Sequence, residues 1–149
     1  MNRIVSEDHF PDWPWPITEP GEPRGDSGTE NWHSQESSGL WMCGYRVGVK
    51  GMNPLHRTRL LNHFFRSPLP PAVSRHLGDS YGEPGSEKRL RRMANVIARN
   101  CRNFKRRSRG RYADAIGDWE KDLAYLKRTY YRAGAFPWPS LDEREEDAE

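Results

Sequence analysis

Two apolar repeats with helical spacing occupy the second half of the chain and constrain its fold more than any other feature. The first, mostly at steps of three and four, comprises Leu90, Met93, Ala94, Ile97, Cys101 and Phe104. The second steps by four, three, four, three and four through Tyr112, Ile116, Trp119, Leu123, Leu126 and Tyr130. Gly110 separates the repeats and favours a helix end. The pattern therefore predicts two antiparallel helices joined by a short turn.

Capping residues indicate where these helices begin. Ser86 can cap the first of the two, and Asn53 followed by Pro54 signals an earlier helix that ends at the proline-rich residues 68–71. Residues 72–76 could add one short helical turn, and the glycines of residues 44–51 favour a turn or a short extended segment. The sequence thus predicts a mainly α protein, with a small three-helix domain over residues 41–133 and a thin core.

The two flanks of this domain have a different composition. Residues 1–40 are rich in Pro, Gly, Ser and acids, so we expect a disordered acidic arm, and residues 134–149 are expected to form a disordered acidic tail. Tryptophans beside prolines interrupt both flanks. One hypothesis makes them anchors for a protein partner, and the other folds the rings back onto the chain's own core; the residues concerned are Trp13, Trp15 and Trp138.

Charge is divided unevenly along the chain. The net charge is −6 over residues 1–40, +14 over residues 41–133 and −5 over residues 134–149, although the whole chain carries only +3. A basic centre of this size favours a polyanionic partner, with the acidic flanks as competitors. The alternative is a solvated basic surface without a specific partner.

The basic charge is densest where the first apolar repeat lies. Residues 88–111 contain eleven Lys or Arg and no acid, and nine of the eleven are Arg. The planar guanidinium suits bidentate contact with phosphate, so the cluster predicts contact with a nucleic-acid backbone, DNA or RNA. No motif indicates base-specific recognition. The candidate nucleic-acid-binding residues are Arg92, Arg99, Arg102, Lys105, Arg106, Arg107, Arg109 and Arg111.

Enzymatic chemistry is a weaker alternative. Asp114, Asp118 and Asp122 are four residues apart on one helix and could hold Mg²⁺ in a small metal-dependent nuclease, but the helix dipole and nearby arginines also explain them. Four other residues are of types that bind zinc, but they lack the compact spacing of a zinc site: Cys43, His56, His63 and Cys101. We therefore predict no catalytic residue, no metal site and no cofactor.

The chain also lacks export and membrane signals. No stretch approaches the ~18 consecutive apolar residues of a membrane helix, and the first residues contain no apolar segment typical of a signal peptide. Its two cysteines, Cys43 and Cys101, are too few for a disulfide framework. We expect a cytoplasmic protein with reduced thiols and no membrane partner.

The ordered part of the chain resembles an uncharacterised small bacterial helical domain. The resemblance covers roughly residues 41–131, and its most characteristic parts are a Gly-Tyr-Arg-Val-Gly box at residues 44–48 and the two helices that follow. It implies a prokaryotic accessory domain associated with DNA transactions, and it carries over no catalytic residue. The residues that carry it are 44–48, 59–61, 69–70, 86–90, 93–94, 97–98, 102–103, 105–107, 115–116, 119–120, 122–123, 126–127 and 130–131.

Overall fold

The computed structural model describes residues 39–144, which form five helices and no strand. The mainly helical prediction is confirmed, and the three predicted helices correspond to α2, α4 and α5. The count of three is not confirmed, because two short helices are added; α3 coincides with the expected turn at residues 72–76, whereas α1 is too short to show a repeat. The helices are α1 (Gly39–Met42), α2 (Pro54–Arg66), α3 (Pro71–Leu77), α4 (Glu87–Ser108) and α5 (Ala113–Tyr130).

The helix starts follow the predicted caps. The side chain of Asn53 accepts the backbone N–H of His56 at 2.8 Å, with Pro54 at the first position of α2. Ser86 accepts the backbone N–H of Arg89 at 3.1 Å at the start of α4. Local side-chain chemistry therefore sets the beginning of both helices.

The core forms mainly between α4 and α5, which pack more extensively than any other helix pair. Every residue of the first apolar repeat is buried, as are Ile116, Trp119, Leu123 and Leu126 of the second. Phe104 meets the ring of Trp119 edge-on at a centroid distance of 5.1 Å. The predicted helical hairpin is thus the centre of the structure.

The packed region includes two residues that precede the predicted boundary at residue 41. All four residues of α1 are buried, so residues 39 and 40 belong to the folded part and not to the arm. A Cβ on Gly39 would lie only 2.8 Å from the Leu77 side chain, so this glycine permits the close approach of α1 to α3. The rest of the predicted arm, residues 1–38 with Trp13 and Trp15, lies outside the described residues.

The prediction of a disordered tail from residue 134 is wrong for residues 134–144. Phe136 is buried, and Trp138 packs against Tyr131 at a ring-centroid distance of 4.7 Å. The hydroxyl of Tyr131 donates a hydrogen bond to the backbone carbonyl of Phe136. The acidic composition obscured the burial of these aromatic rings, which cover the thin core. Residues 145–149 lie outside the described range.

The helices of residues 39–144 are not membrane-spanning segments. None of the helices there combines the length and the hydropathy needed to cross a bilayer.

Candidate functional site

A buried ionic cluster joins α5 to α2 and to the loop before it. The Nε of Arg57 donates to Oδ2 of Asp122 at 2.7 Å, and the same oxygen accepts the hydroxyl of Tyr45 at 2.6 Å. A second carboxylate, Asp118, lies 3.4 Å from Nη1 of Arg57 and accepts the backbone N–H of Gly48 at 2.9 Å. The two carboxylates thus share one buried guanidinium; Asp122 is buried with it, where its charge would be costly alone, and Asp118 is half-buried.

This cluster bears directly on the magnesium alternative. Asp118 and Asp122 are held by Arg57, while Asp114 is exposed in the first turn of α5. Within residues 39–144, no three His, Cys, Asp or Glu side chains are arranged to hold a metal ion. The observed role of the two inner carboxylates is therefore to fasten α2 and the 44–52 loop to α5.

A second buried cation, Arg89, fastens the loop before α4. Its Nη1 donates to the carbonyls of Phe64 and Ser67 at 2.9 and 2.7 Å. Its Nε and Nη2 donate to the carbonyls of Tyr81 and Gly82 at 3.2 and 2.8 Å. Burial lowers the pKa of this guanidinium. One cation of the basic cluster thus points inward and closes the end of α2 against residues 81–82.

The inward direction of Arg89 was not predicted, although the sequence contains a signal for it. Arg89, Met93, Val96 and Asn100 are spaced by four, three and four residues, so they lie on one line of α4. All four are buried, which makes this line a second edge of the apolar stripe. A buried polar group on such a line needs hydrogen-bond partners, and Arg89 finds four backbone carbonyls.

Four predicted residues near the end of α4 contact residues 140–143, which we name the C-terminal strap. Arg102 and Lys105 donate to the carbonyls of Ser140 and Leu141 at 2.6 and 2.8 Å. Two further cations reach Glu143. The Nη1 of Arg106 donates to its carbonyl at 2.7 Å, and Arg109 lies 2.8 Å from its carboxylate. The basic end of α4 is therefore partly covered by the chain itself.

The other four predicted residues lie away from the strap. Arg107 and Arg111 are exposed. The guanidinium carbon of Arg107 lies 5.5 Å from the ring centroid of Phe104, and that of Arg111 lies 5.4 Å from the ring centroid of Tyr112. Arg92 and Arg99 are half-buried on the outer side of α4, with Arg92 5.7 Å from the Tyr81 ring. The predicted set is thus spread over the length of the helix and is not gathered at one point.

Of the three tryptophans predicted to bind a partner, Trp138 lies within residues 39–144, and Trp13 and Trp15 do not. Trp138 is half-buried against Tyr131 and Phe136, which is the arrangement of the alternative in which these rings return to the chain's own core. Its role as an anchor for a protein partner stays a prediction.

The cysteines are buried free thiols. Burial raises the pKa of Cys101 to about 11 from 9.0, and it also raises the pKa of Cys43. Because the thiolate is the reactive form, neither residue is an activated nucleophile. His63, one of the remaining zinc candidates, is buried on α2 and shares a 3.1 Å hydrogen bond with Ser67.

The buried phenols of Tyr45 and Tyr81 and the buried thiol of Cys101 predict that the fold loses stability at alkaline pH. Burial raises the pKa of Tyr81 to about 12 and raises that of Tyr45 as well, so these phenols and Cys101 keep protons that the unfolded chain loses near pH 9 to 10. A raised folded pKa stabilises the fold below the unfolded pKa, and the gain is lost as the pH rises through the folded pKa. Each group contributes a slope of about −1.4 kcal/mol per pH unit in that window.

Urea midpoints measured by tryptophan fluorescence from pH 8 to pH 11 would test this expectation. The variant Cys101→Ala is the matched control, since it removes one titrating group and should flatten the decline. A midpoint that stays constant between pH 8 and pH 11 would contradict it.

Comparison with known proteins supplies no relative from which a role could be transferred to these residues. The small bacterial helical domain that the sequence resembles thus stays a prediction. No protein-family model, no curated protein and no solved structure matches this chain.

Proposed function

We propose that this chain is a non-enzymatic nucleic-acid-binding or accessory module that holds a phosphate backbone along the outer side of α4. One observation carries the proposal: with its apolar stripe and Arg89 buried, α4 keeps a line of cations along the side turned away from the core. At steps of four, seven, three and four, these residues are Lys88, Arg92, Arg99, Arg102 and Arg106, of which Arg102 is buried and contacts the C-terminal strap.

The length of this line suits a nucleic-acid backbone. Its first and last members are 18 residues apart, which corresponds to about 27 Å along a helix. A strand of duplex DNA places one phosphate about every 3.4 Å along its axis, so the line spans the axial rise of roughly eight base pairs. Exposed Arg91 and Arg107 border the line and could widen the contact.

The chemistry of the line favours phosphate over bases. Arginine predominates among its members, and a guanidinium forms paired hydrogen bonds to phosphate oxygens. Contacts of this kind position a protein on a nucleic acid without reading its sequence. The engagement of Asp118 and Asp122 by Arg57 supports a binding role more than a catalytic one.

The salt dependence of binding tests the proposal. The intact protein should bind fluorescent 20-base-pair DNA and single-stranded RNA at ~50 mM salt, and affinity should fall as counterions compete. If five cations contact phosphates, the log–log slope should be about −4 to −5 on duplex DNA and about −3.5 on single strands. Anisotropy titrations give both values. Absence of binding at ~50 mM salt, or a slope near zero, would overturn the proposal.

A charge-matched pair of variants locates the surface. Arg92→Gln with Arg99→Gln removes two members of the line and should reduce the duplex slope by about 2. The control, Lys121→Gln with Arg128→Gln, removes the same charge from exposed positions on α5 and should leave the slope nearly unchanged. Equal weakening by both pairs would indicate a diffuse charge effect and not a binding line. Circular dichroism confirms that each variant is folded.

A further inference from the structure

The C-terminal strap occupies the groups that the proposed function needs. Arg102, Lys105 and Arg106 direct N–H donors at three strap carbonyls, at 2.6 to 2.8 Å. The same donors would bind phosphate oxygens, and an anionic phosphate compensates their positive charge, which a neutral carbonyl does not. Strap and phosphate cannot occupy the same donors at once.

We infer that residues 140–143 act as a competitor within the chain, covering the basic end of α4 until a nucleic-acid phosphate displaces them. This inference rests on the proposed function and adds regulation to the same surface. The strap would weaken the binding of every ligand that must displace it. Only a strongly anionic ligand would then uncover the last turns of α4.

The strap can leave α4 without unfolding of the residues before it. Phe136 and Trp138 anchor its base against Tyr131, whereas Ser140 is exposed and Leu141 only half-buried. Pro139 separates the anchor from the strap. Displacement would therefore break the contacts with α4 while the aromatic packing stays in place.

The charge of the strap fits the role of competitor. Residues 140–143 carry a net charge of −2, from Asp142 and Glu143, and contact the basic end of α4. Arg144 hydrogen-bonds Asp142 and lowers the pKa of that carboxyl to about 2, so Asp142 is ionised at neutral pH. Glu143 pairs with Arg109, and a phosphate would have to replace that contact as well.

Ending the chain after Pro139 tests the inference directly. The truncated protein should bind 20-base-pair DNA at least about tenfold more tightly at ~50 mM salt, because binding no longer has to displace the strap. Its slope should stay near that of the intact protein, because both complexes make the same phosphate contacts. The control keeps the full length and the strap but neutralises four acids beyond it: Glu145→Gln, Glu146→Gln, Asp147→Asn and Glu149→Gln. It should gain less affinity than the truncation and keep the original slope.

Hydrogen–deuterium exchange on the intact protein provides a second measurement that does not require the truncated form to fold. The same DNA at saturation should speed exchange at residues 140–144, where the N–H groups of Asp142 and Arg144 are hydrogen-bonded in the free chain. Unchanged or slower exchange there would overturn the inference.

The outcomes separate the two proposals. If both forms bind DNA with equal affinity and slope, or if the neutralised control gains as much as the truncation, the strap is no competitor and the proposed function stands. If neither form binds at ~50 mM salt, both proposals fail. Tighter binding by the truncated form, with a smaller gain in the neutralised control, supports both.

Discussion

Replacing Arg57 by methionine is expected to lower the free energy of unfolding by about 3–5 kcal/mol. The change leaves the buried carboxylate of Asp122, and beside it Asp118, without the guanidinium that compensates their charge. Asp122 keeps the hydrogen bond from Tyr45, but a neutral hydroxyl does not compensate the lost hydration of a buried charge. Urea unfolding at pH 7, followed by tryptophan fluorescence, measures the loss.

A second substitution at the same site separates the ion pair from simple packing. In Arg57→Met combined with Asp122→Leu, the main orphaned charge is gone, so stability should recover by at least about 1 kcal/mol over the single variant. Tyr45 loses its acceptor in the double variant, which keeps the recovery incomplete. A loss below about 1 kcal/mol in the single variant would contradict the structural role given to Arg57.

Replacing Arg89 by methionine should destabilise the fold by about 4 kcal/mol or more, because it removes four hydrogen bonds at once. Each buried carbonyl left without a donor costs about 1–3 kcal/mol. Water that enters the site can hydrogen-bond some of these carbonyls and recovers part of the lost free energy. The acceptors belong to Phe64, Ser67, Tyr81 and Gly82, so the loop before α4 should loosen first. Urea unfolding gives the magnitude, and limited proteolysis at residues 78–85 gives the location.

Two comparisons make this result specific. Arg91→Met changes an exposed arginine on the same helix and should alter stability by less than about 0.5 kcal/mol. Arg89→Lys retains the charge but loses the planar fork, so it should restore only part of the stability. Full rescue by lysine would show that charge matters at this position and that the four-carbonyl geometry does not.

Much of the fold was predictable because the signals are local. The caps Asn53 and Ser86, together with Gly110, place the boundaries of the long helices within a few residues. The two apolar repeats identify the faces that pack, and nearly all of their residues are buried. Such features depend on neighbours within one or two turns of the chain, which a sequence displays directly.

The two ends of the folded region were not predictable in this way. The four-residue helix α1 contains too few residues for a repeat, and its burial depends on contacts with α3. Residues 134–149 have an acidic composition that predicts disorder, yet Phe136 and Trp138 are held by Tyr131. Both segments gain stability from residues distant in sequence, and composition alone cannot weigh that gain against the entropy of ordering.

By itself, the sequence determined a helical hairpin with a concentrated basic charge, since both are properties of periodicity and composition. Only the tertiary structure decided what each cation does: Arg57 and Arg89 brace the interior, Arg102 and Lys105 hold the strap, and Arg92 and Arg99 lie along the outer side of α4. The physical reason is that the sequence specifies each guanidinium but not the groups that surround it in the fold. Its role follows from the acceptors within about 3 Å, and the folding of distant segments brings those acceptors to it.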